Sequence, residues 1–189
     1  GQLERWRELG LAMSNSGKGP DYIIIDGGEG GTGSAKASMV DHMGLPFVQA
    51  FSTVYQIFQK QGIEERVVWI GSGKLGFPAE VIKAMAMGCD MINVARTMML
   101  SLGCIMSGLC HTDNCPSGVA TQKAWRYKKL DPTLKSHRAA NYIMEFRKNI
   151  LEMTAAAGYD HPAQFQTDDI MVNSGDSSSL IPLSKIIGY

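Results

Sequence analysis

The sequence has no excess of either charge: 18 Lys and Arg stand against 18 Asp and Glu. That balance offers no field to steer nucleic acid or an anionic membrane surface, so neither is expected as a partner. Long apolar runs are lacking too. One stretch without charge, counting His111 as neutral, runs from Thr97 to Thr112, and Ser101, Gly103, Ser107 and Gly108 break it up. It falls short of the roughly 20 apolar residues that a membrane-spanning helix needs. No signal peptide is recognisable, and residue 1 is Gly rather than Met, which reads as an end left by processing or cloning. GxxxxGK[ST] is absent. The run Gly28-Glu29-Gly30-Gly31-Thr32-Gly33 has neither the spacing nor the position of GxGxxG opening a helix. A nucleoside triphosphate or a Rossmann-bound dinucleotide is therefore disfavoured. Cysteine is scarce but crowded. Three of the four, Cys104, Cys110 and Cys115, fall within twelve positions, and Cys89 stands apart. A chain of 189 residues with 44% apolar content has ample material for a core and little use for a disulfide framework. Clustered thiols in such a chain point to a metal or cluster in a reducing, cytoplasmic compartment.

What is present is a strand–helix alternation. Gln2 to Met13 has Leu3, Trp6, Leu9 and Leu11 between charges and predicts a surface helix, followed by a turn at Ser14 to Pro20. Tyr22-Ile23-Ile24-Ile25, ending at Asp26, predicts a central parallel strand buried on both faces. Phe47, Phe51, Val54 and Phe58 repeat at helical spacing until Gly62. Val67 to Ile70 predicts a second strand, and Pro78 to Met87 a helix with proline in its first turn and Gly88 at its end. Met91 to Ala95 is a third strand candidate. The alternation implies a parallel sheet, either open or part of a closed barrel. Ser136 to Ala157 predicts a long helix with one stripe of Ala139, Ile143, Phe146, Ile150, Met153 and Ala157. Tyr159 to Tyr189 shows little regular pattern, with a turn at Asn173 to Ser179.

Loops that follow parallel strands lie at the end of the sheet where α/β proteins bind ligands. Asp26 to Gly33 holds five glycines in eight positions, which lets backbone N–H groups approach a ligand closely. Gly71-Ser72-Gly73-Lys74 ends the second strand and Ala95-Arg96-Thr97 the third. Two such loops in succession, with Lys74 and Arg96 as cations, suit a phosphate-bearing ligand.

The cysteine spacing is Cys104-x5-Cys110-x4-Cys115-Pro116. Structural zinc sites favour closer pairs, and ferredoxin spacings do not match. Three thiolates suit a three-iron cluster with one cysteine per iron. His111 is a candidate fourth ligand or simply a solvated loop residue, and Cys89, beside Gly88, reads as a small buried hydrophobe.

Taken together, DGGEGGTG at 26–33, SGK at 72–74, ARTMMLSLGC at 95–104 and CHTDNCPSGVATQ at 110–122 resemble the synthase domain of the glutamate synthase family, and more closely its stand-alone FMN-binding members. The match is collinear from Asp21 to Gln122, with a weaker likeness at Ala155 to Pro162. The resemblance implies the C-terminal portion of a (β/α)8 TIM barrel holding FMN and a 3Fe–4S cluster. It implies reduction of 2-iminoglutarate, formed from 2-oxoglutarate and ammonia, to L-glutamate. Electrons would come from ferredoxin or a pyridine-nucleotide-dependent subunit. On this chain it would assign Cys104, Cys110 and Cys115 to the cluster. Gly30, Gly31, Ser72, Gly73, Lys74, Ala95 and Arg96 would bind the cofactor, and Glu29 and Thr32 would lie at the flavin ring and substrate as catalytic residues.

Three strand candidates match the last three of eight, so the first five are expected to be missing. Residues 1–162 would then be the C-terminal part of the barrel, with the iron–sulfur loop at 104–115, and residues 163–189 an irregular tail. Residue 1 is not a nucleophilic Cys, so the chain is not expected to release ammonia from glutamine itself. A partner chain or a second copy is expected to cover the open edges. Rival readings are a methylglutamate synthase-like enzyme using another amine, a non-catalytic cluster-binding electron relay or scaffold, and a zinc module.

Overall fold

The computed structural model describes residues 2–29, 36, 38, 39, 43–173 and 179–189. Helix α1 (Leu3–Ser16) runs three residues past the expected Met13 and ends at Gly17, whose positive φ of 69° places its N–H on the Met13 carbonyl. Strand β1 (Tyr22–Asp26), helix α2 (Phe47–Gln59), strand β2 (Val68–Ser72), helix α3 (Pro78–Ala86) and strand β3 (Met91–Asn93) follow in order. The strands are parallel and adjacent in the order β1-β2-β3. Three cross-strand rows define the register, and two of them, either side of Ile25, Gly71 and Ile92, share one face. Ile24, Ile70 and Met91 form one, and Asp26, Ser72 and Asn93 the other.

Burial corrects the expectation for β1. It lies at the edge of this sheet, with β2 in the middle, and only one of its faces is covered. Ile23 and Ile25 are buried, whereas Tyr22 is 58% and Ile24 46% exposed. Val68 and Met91 are exposed on the same side as Tyr22 and Ile24. The four-residue apolar run therefore serves two surfaces, one against helices and one open. An apolar open face is unusual for a parallel sheet, which is normally covered on both sides. This three-strand parallel sheet with its helices is compatible with part of a TIM barrel.

The covered face builds the core. Phe47, Phe51, Val54 and Phe58 of α2 are all buried, as their spacing predicts, in one core with Trp69 of β2. Phe58 meets the Trp69 ring edge-on at 5.1 Å between centroids, and Phe51 does so at 5.9 Å, the geometry that aromatic quadrupoles favour. Cys89 is buried in this core, and burial pushes its thiol pKa up. It behaves as the small hydrophobe its position suggested.

Helices α4 (Arg96–Leu102), α5 (Ala124–Tyr127) and α6 (Pro132–Ala156) complete the body. The last starts four residues earlier than expected. Asp131 caps it, accepting the N–H groups of Thr133 and Leu134, and Pro132 occupies the first turn. Its packed stripe is also rotated from the expected one. Ala139, Tyr142, Phe146 and Ile150 are partly buried and Thr154 fully so, while Ile143 is 51% exposed and Met153 and Ala157 face outward. Helix α6 packs on α3 and α4, whose polar loop ends favour a tyrosine hydroxyl over a branched alkane.

Residues 163–189 are more regular than expected. Strands β4 (Met171–Asn173) and β5 (Leu180–Pro182) pair antiparallel, and α7 (Ser184–Ile187) follows. Leu183 and Ile187 join the main core, Gln56 bonds the Ile187 carbonyl, and Tyr189 stacks on Tyr55 at 5.2 Å. Much of the turn expected at Asn173 to Ser179 lies outside the described residues. Among the described residues no helix is long and apolar enough to cross a membrane.

Candidate functional site

The carboxyl ends of the three strands form one rim. The Gly27 N–H donates to the Ser72 carbonyl at 2.8 Å, so the first glycine loop lies against the end of β2. A Cβ on Gly27 would fall 2.6 Å from Phe47 Cα, and one on Gly73 3.0 Å from Phe47 Cβ. Both loops thus pack onto the first turn of α2 because these residues lack side chains. Gly73 has φ 139° and Lys74 φ 56°. A left-handed lysine is costly and persists only where its surroundings impose it, often at functional sites. Glu29 lies at the same rim. Its Oε2 accepts the Phe47 N–H at 2.6 Å, which ties one carboxylate oxygen to the start of α2. Ala95 is the N-cap of α4 and Arg96 its first residue, directly after β3. The structure therefore gathers Glu29, Ser72 and Gly73, and places Ala95 and Arg96 at the end of the neighbouring strand. Gly30, Gly31 and Thr32 lie outside the described residues.

The cysteine loop begins at the other end of α4. Gly103, φ 107°, ends that helix, and Cys104 follows. The Cys104 sulfur accepts the Met106 N–H at 3.4 Å. Cys110 opens a short 3-10 turn, Cys110–Thr112. Cys115 is 3% exposed. Burial pushes its thiol pKa up, but hydrogen bonds from the Ser117 hydroxyl and from the N–H groups of Ala120, Ser117 and Val119 outweigh it and hold the pKa below the usual thiol value. A lowered thiol pKa favours the thiolate, the form that binds metal. Among the described residues no three His, Cys, Asp or Glu side chains converge as ligands of a single ion. The zinc reading gains nothing from this loop.

Several residues that hold the loop were not legible from spacing. Asp113, in the left-handed region at φ 59°, accepts the Gln122 N–H at 2.6 Å and the Thr121 hydroxyl at 2.8 Å. These bonds hold its carboxyl below the usual range. Arg126 donates to the carbonyls of Asn114 and Cys115 at 2.9 and 3.1 Å. Gly118, φ 81°, lets the Arg126 carbonyl pass within 2.7 Å of where a Cβ would stand. The one sequence signal was Asp-Asn beside a Pro-x-Gly turn, since Asp and Asn tolerate left-handed backbone and bond their own neighbours. Of the three non-glycine residues with positive φ among those described, Lys74 belongs to the rim and Met106 and Asp113 to the cysteine loop.

The family model for the conserved region in glutamate synthase matches residues 7–160. The chain belongs to the glutamate synthase family. A glutamate synthase large subunit-like protein, YerD, from Bacillus subtilis is 39% identical over 187 residues, covering 99% of this chain and 35% of that protein. An archaeal NADPH glutamate synthase from Methanocaldococcus jannaschii is 37% identical over 150 residues, 79% of this chain and 29% of its own length. The chloroplastic ferredoxin-dependent glutamate synthase of rice is 38% identical over 116 residues, 61% of this chain and 7% of its own length. The chain thus spans about a third or less of the curated glutamate synthases and relatives it matches. The match to YerD reaches into the C-terminal strands and helix, beyond the region of the family model.

Proposed function

We propose that this chain is the C-terminal portion of a flavin- and iron–sulfur-dependent glutamate synthase barrel, reducing 2-iminoglutarate to L-glutamate as part of a larger assembly. The observation that carries the reading is the buried Cys115 sulfur, 3.4 Å from the Ser117 hydroxyl, in the loop that leaves α4 directly after the phosphate-type rim. The open apolar face of the sheet supports it. Tyr22, Ile24, Val68 and Met91 would be covered by further barrel strands from a partner chain, a second copy or a longer polypeptide.

In this proposal Ser72, Gly73, Lys74, Ala95 and Arg96 hold the phosphate of FMN, with Gly30 and Gly31 beside the ring. Cys104, Cys110 and Cys115 hold a 3Fe–4S cluster. When bound, FMN supplies hydride transfer and the cluster single-electron carriage. The chain's own residues do the positioning. The left-handed turn at Gly73 and Lys74 aims backbone N–H groups and a cation at an anion. Glu29, fixed by the Phe47 N–H, and Thr32 are proposed on the substrate side. The Ser117 hydroxyl and neighbouring N–H groups lower the Cys115 thiol pKa against the pull of burial. The amine is proposed to be ammonia, and the electron donor ferredoxin or a pyridine-nucleotide-dependent subunit. Thiolate ligands call for a reducing compartment, here the cytoplasm.

The test is an absorption spectrum with iron, sulfide and flavin counts on anaerobically purified protein. The proposal expects about three irons per chain, one per thiolate. It expects Cys115→Ser to lose iron while keeping the fold. Absence of iron after anaerobic reconstitution would remove the proposal.

A further inference from the structure

The two halves of the rim are tied together by a residue that belongs to neither. Tyr142 stands midway along α6 with its ring stacked on Phe146, centroids 5.5 Å apart. Its hydroxyl donates to the Gly76 carbonyl at 3.0 Å and lies 2.7 Å from the Thr97 hydroxyl. A phenol has one proton. With that proton on the carbonyl, Thr97 must be the donor of the second bond, giving a relay from Thr97 to Tyr142 to Gly76. Direct contact reinforces the tie. A Cβ on Gly76 would overlap Thr97 Oγ1 and come within 2.6 Å of its Cγ2, so the loop after β2 touches α4 only because residue 76 is glycine. Gly76 is two residues beyond Lys74, and Thr97 is the residue after Arg96. Beyond the β2–β3 pairing beneath them, the two cationic loops are therefore tied together from outside, by α6.

We propose that Tyr142 is a positioning residue for a phosphate monoester: it touches no ligand, and its hydroxyl holds the Ser72–Lys74 turn and the Ala95–Arg96 turn at the separation one phosphate requires. The inference rests on the phosphate site proposed above. The physical basis is that an anion shared by two loops is bound tightly only if both are in place before it arrives, since otherwise binding must order them. Tyr142→Phe keeps the ring and its stacking but removes both bonds. It frees the two loops to move apart without opening the core, because Trp69 packs against α2 whereas α6 packs on α3 and α4.

The experiment uses the full chain and two probes, inorganic phosphate and FMN, with riboflavin as the phosphate-free control. Amide resonances of Gly73 and Arg96 are followed by NMR as phosphate is added, and FMN and riboflavin affinities are measured by titration. The proposal expects shifts at both amides in the parent chain. It expects Tyr142→Phe to weaken phosphate binding about tenfold, the loss of roughly one well-placed hydrogen bond's worth of organisation. Wherever flavin binding is measurable, FMN should weaken by the same factor and riboflavin should stay within about twofold. Thr97→Val should match Tyr142→Phe, Thr97→Ser should behave as the parent, and the double variant should be no worse than either single one, since each breaks the same relay. Unchanged phosphate affinity in Tyr142→Phe, or equal weakening of FMN and riboflavin, overturns the role of Tyr142 and leaves the phosphate site standing. No phosphate-dependent shift at Gly73 and Arg96 in the parent chain overturns the site and the inference with it.

Discussion

The glycine rim and the cysteine loop lie at opposite ends of α4 and are held by different forces. The rim rests on the core. Gly27 and Gly73 press against Phe47, and Phe47, Phe51 and Phe58 are buried around Trp69. The cysteine loop buries little apolar surface. Ile105, Met106 and Leu109 are exposed, and the loop keeps its shape through polar bonds from Asp113, Arg126 and Lys123 to its own backbone and to Asn114. Non-directional burial tolerates the loss of one polar group, whereas a loop built on a few directional bonds does not. The Gly27 and Gly73 side of the rim should therefore open only with global unfolding, and the cysteine loop should open on its own.

The largest expected effect abolishes the distinction. Trp69→Ala removes the ring that three aromatic residues pack on and should cost about 3–5 kcal/mol, unfolding rim and loop together. Urea denaturation followed by tryptophan-independent far-UV circular dichroism measures it. A loss below about 1 kcal/mol would mean that the aromatic cluster does not carry the rim.

Arg126→Ala sharpens the comparison. It strips the carbonyls of Asn114 and Cys115 of their donor and should destabilise the loop locally by about 1–3 kcal/mol. Hydrogen exchange should speed up across 113–122 with the Trp69 region unchanged, and Cys115 should become open to alkylation. Uniformly faster exchange over the whole chain would show that the loop and core unfold as one unit.

Asp131→Ala removes the only side-chain cap seen at the start of α6 among the described residues and should cost about 1 kcal/mol. Because α6 packs on both α3 and α4, the loss should appear at the rim and at Gly103–Cys104 equally. Exchange confined to residues 131–136 would contradict that coupling.

The gentlest perturbation is pH. Burial raises the phenol pKa of Tyr55, with Glu64, Glu65, Asp90 and Cys89 adding to it, and burial raises that of Tyr189, with Tyr55 and Cys89 adding. Both folded values lie above the unfolded one of about 10. Their contribution is therefore complete below pH 10 and is lost as pH rises from there toward the folded values, since the unfolded phenols ionise first. Denaturation midpoints should hold steady to about pH 9.5 and fall beyond it, less steeply in Tyr55→Phe. An equally steep fall in that variant would locate the effect elsewhere.

Much of the fold was legible in the sequence because periodicity reports burial. The four α2 positions and the three strands follow from runs and spacings that water exclusion enforces, and their parallel pairing from the strand–helix alternation. What was not legible depends on what lies across from each element. Four apolar residues in β1 suggested two buried faces, and a run alone cannot say that one face meets helices while the other stays open here. In α6, Ile143 and Tyr142 are neighbours and both apolar enough to pack. The carbonyl at Gly76 and the hydroxyl at Thr97 select the tyrosine. Of the candidate site, the glycines, Lys74, Arg96 and the cysteines were visible as residue types with chemical purpose. Asp113 left only the trace of its turn chemistry, and Arg126 and Tyr142 were invisible, since each acts through a partner that only folding brings near.

The sequence by itself determined the strand–helix alternation, the placement of glycines and cations after successive strands, the crowding of three thiols and, through those motifs, membership of the glutamate synthase family. Tertiary structure alone decided which face of the sheet is covered, how α6 is rotated, and which polar groups hold the two loops. Local pattern and backbone conformation act over a few residues and can be read along the chain. Hydrogen bonds such as those of Tyr142 span 45 and 66 residues, and nothing in a linear pattern specifies which distant carbonyl will be waiting.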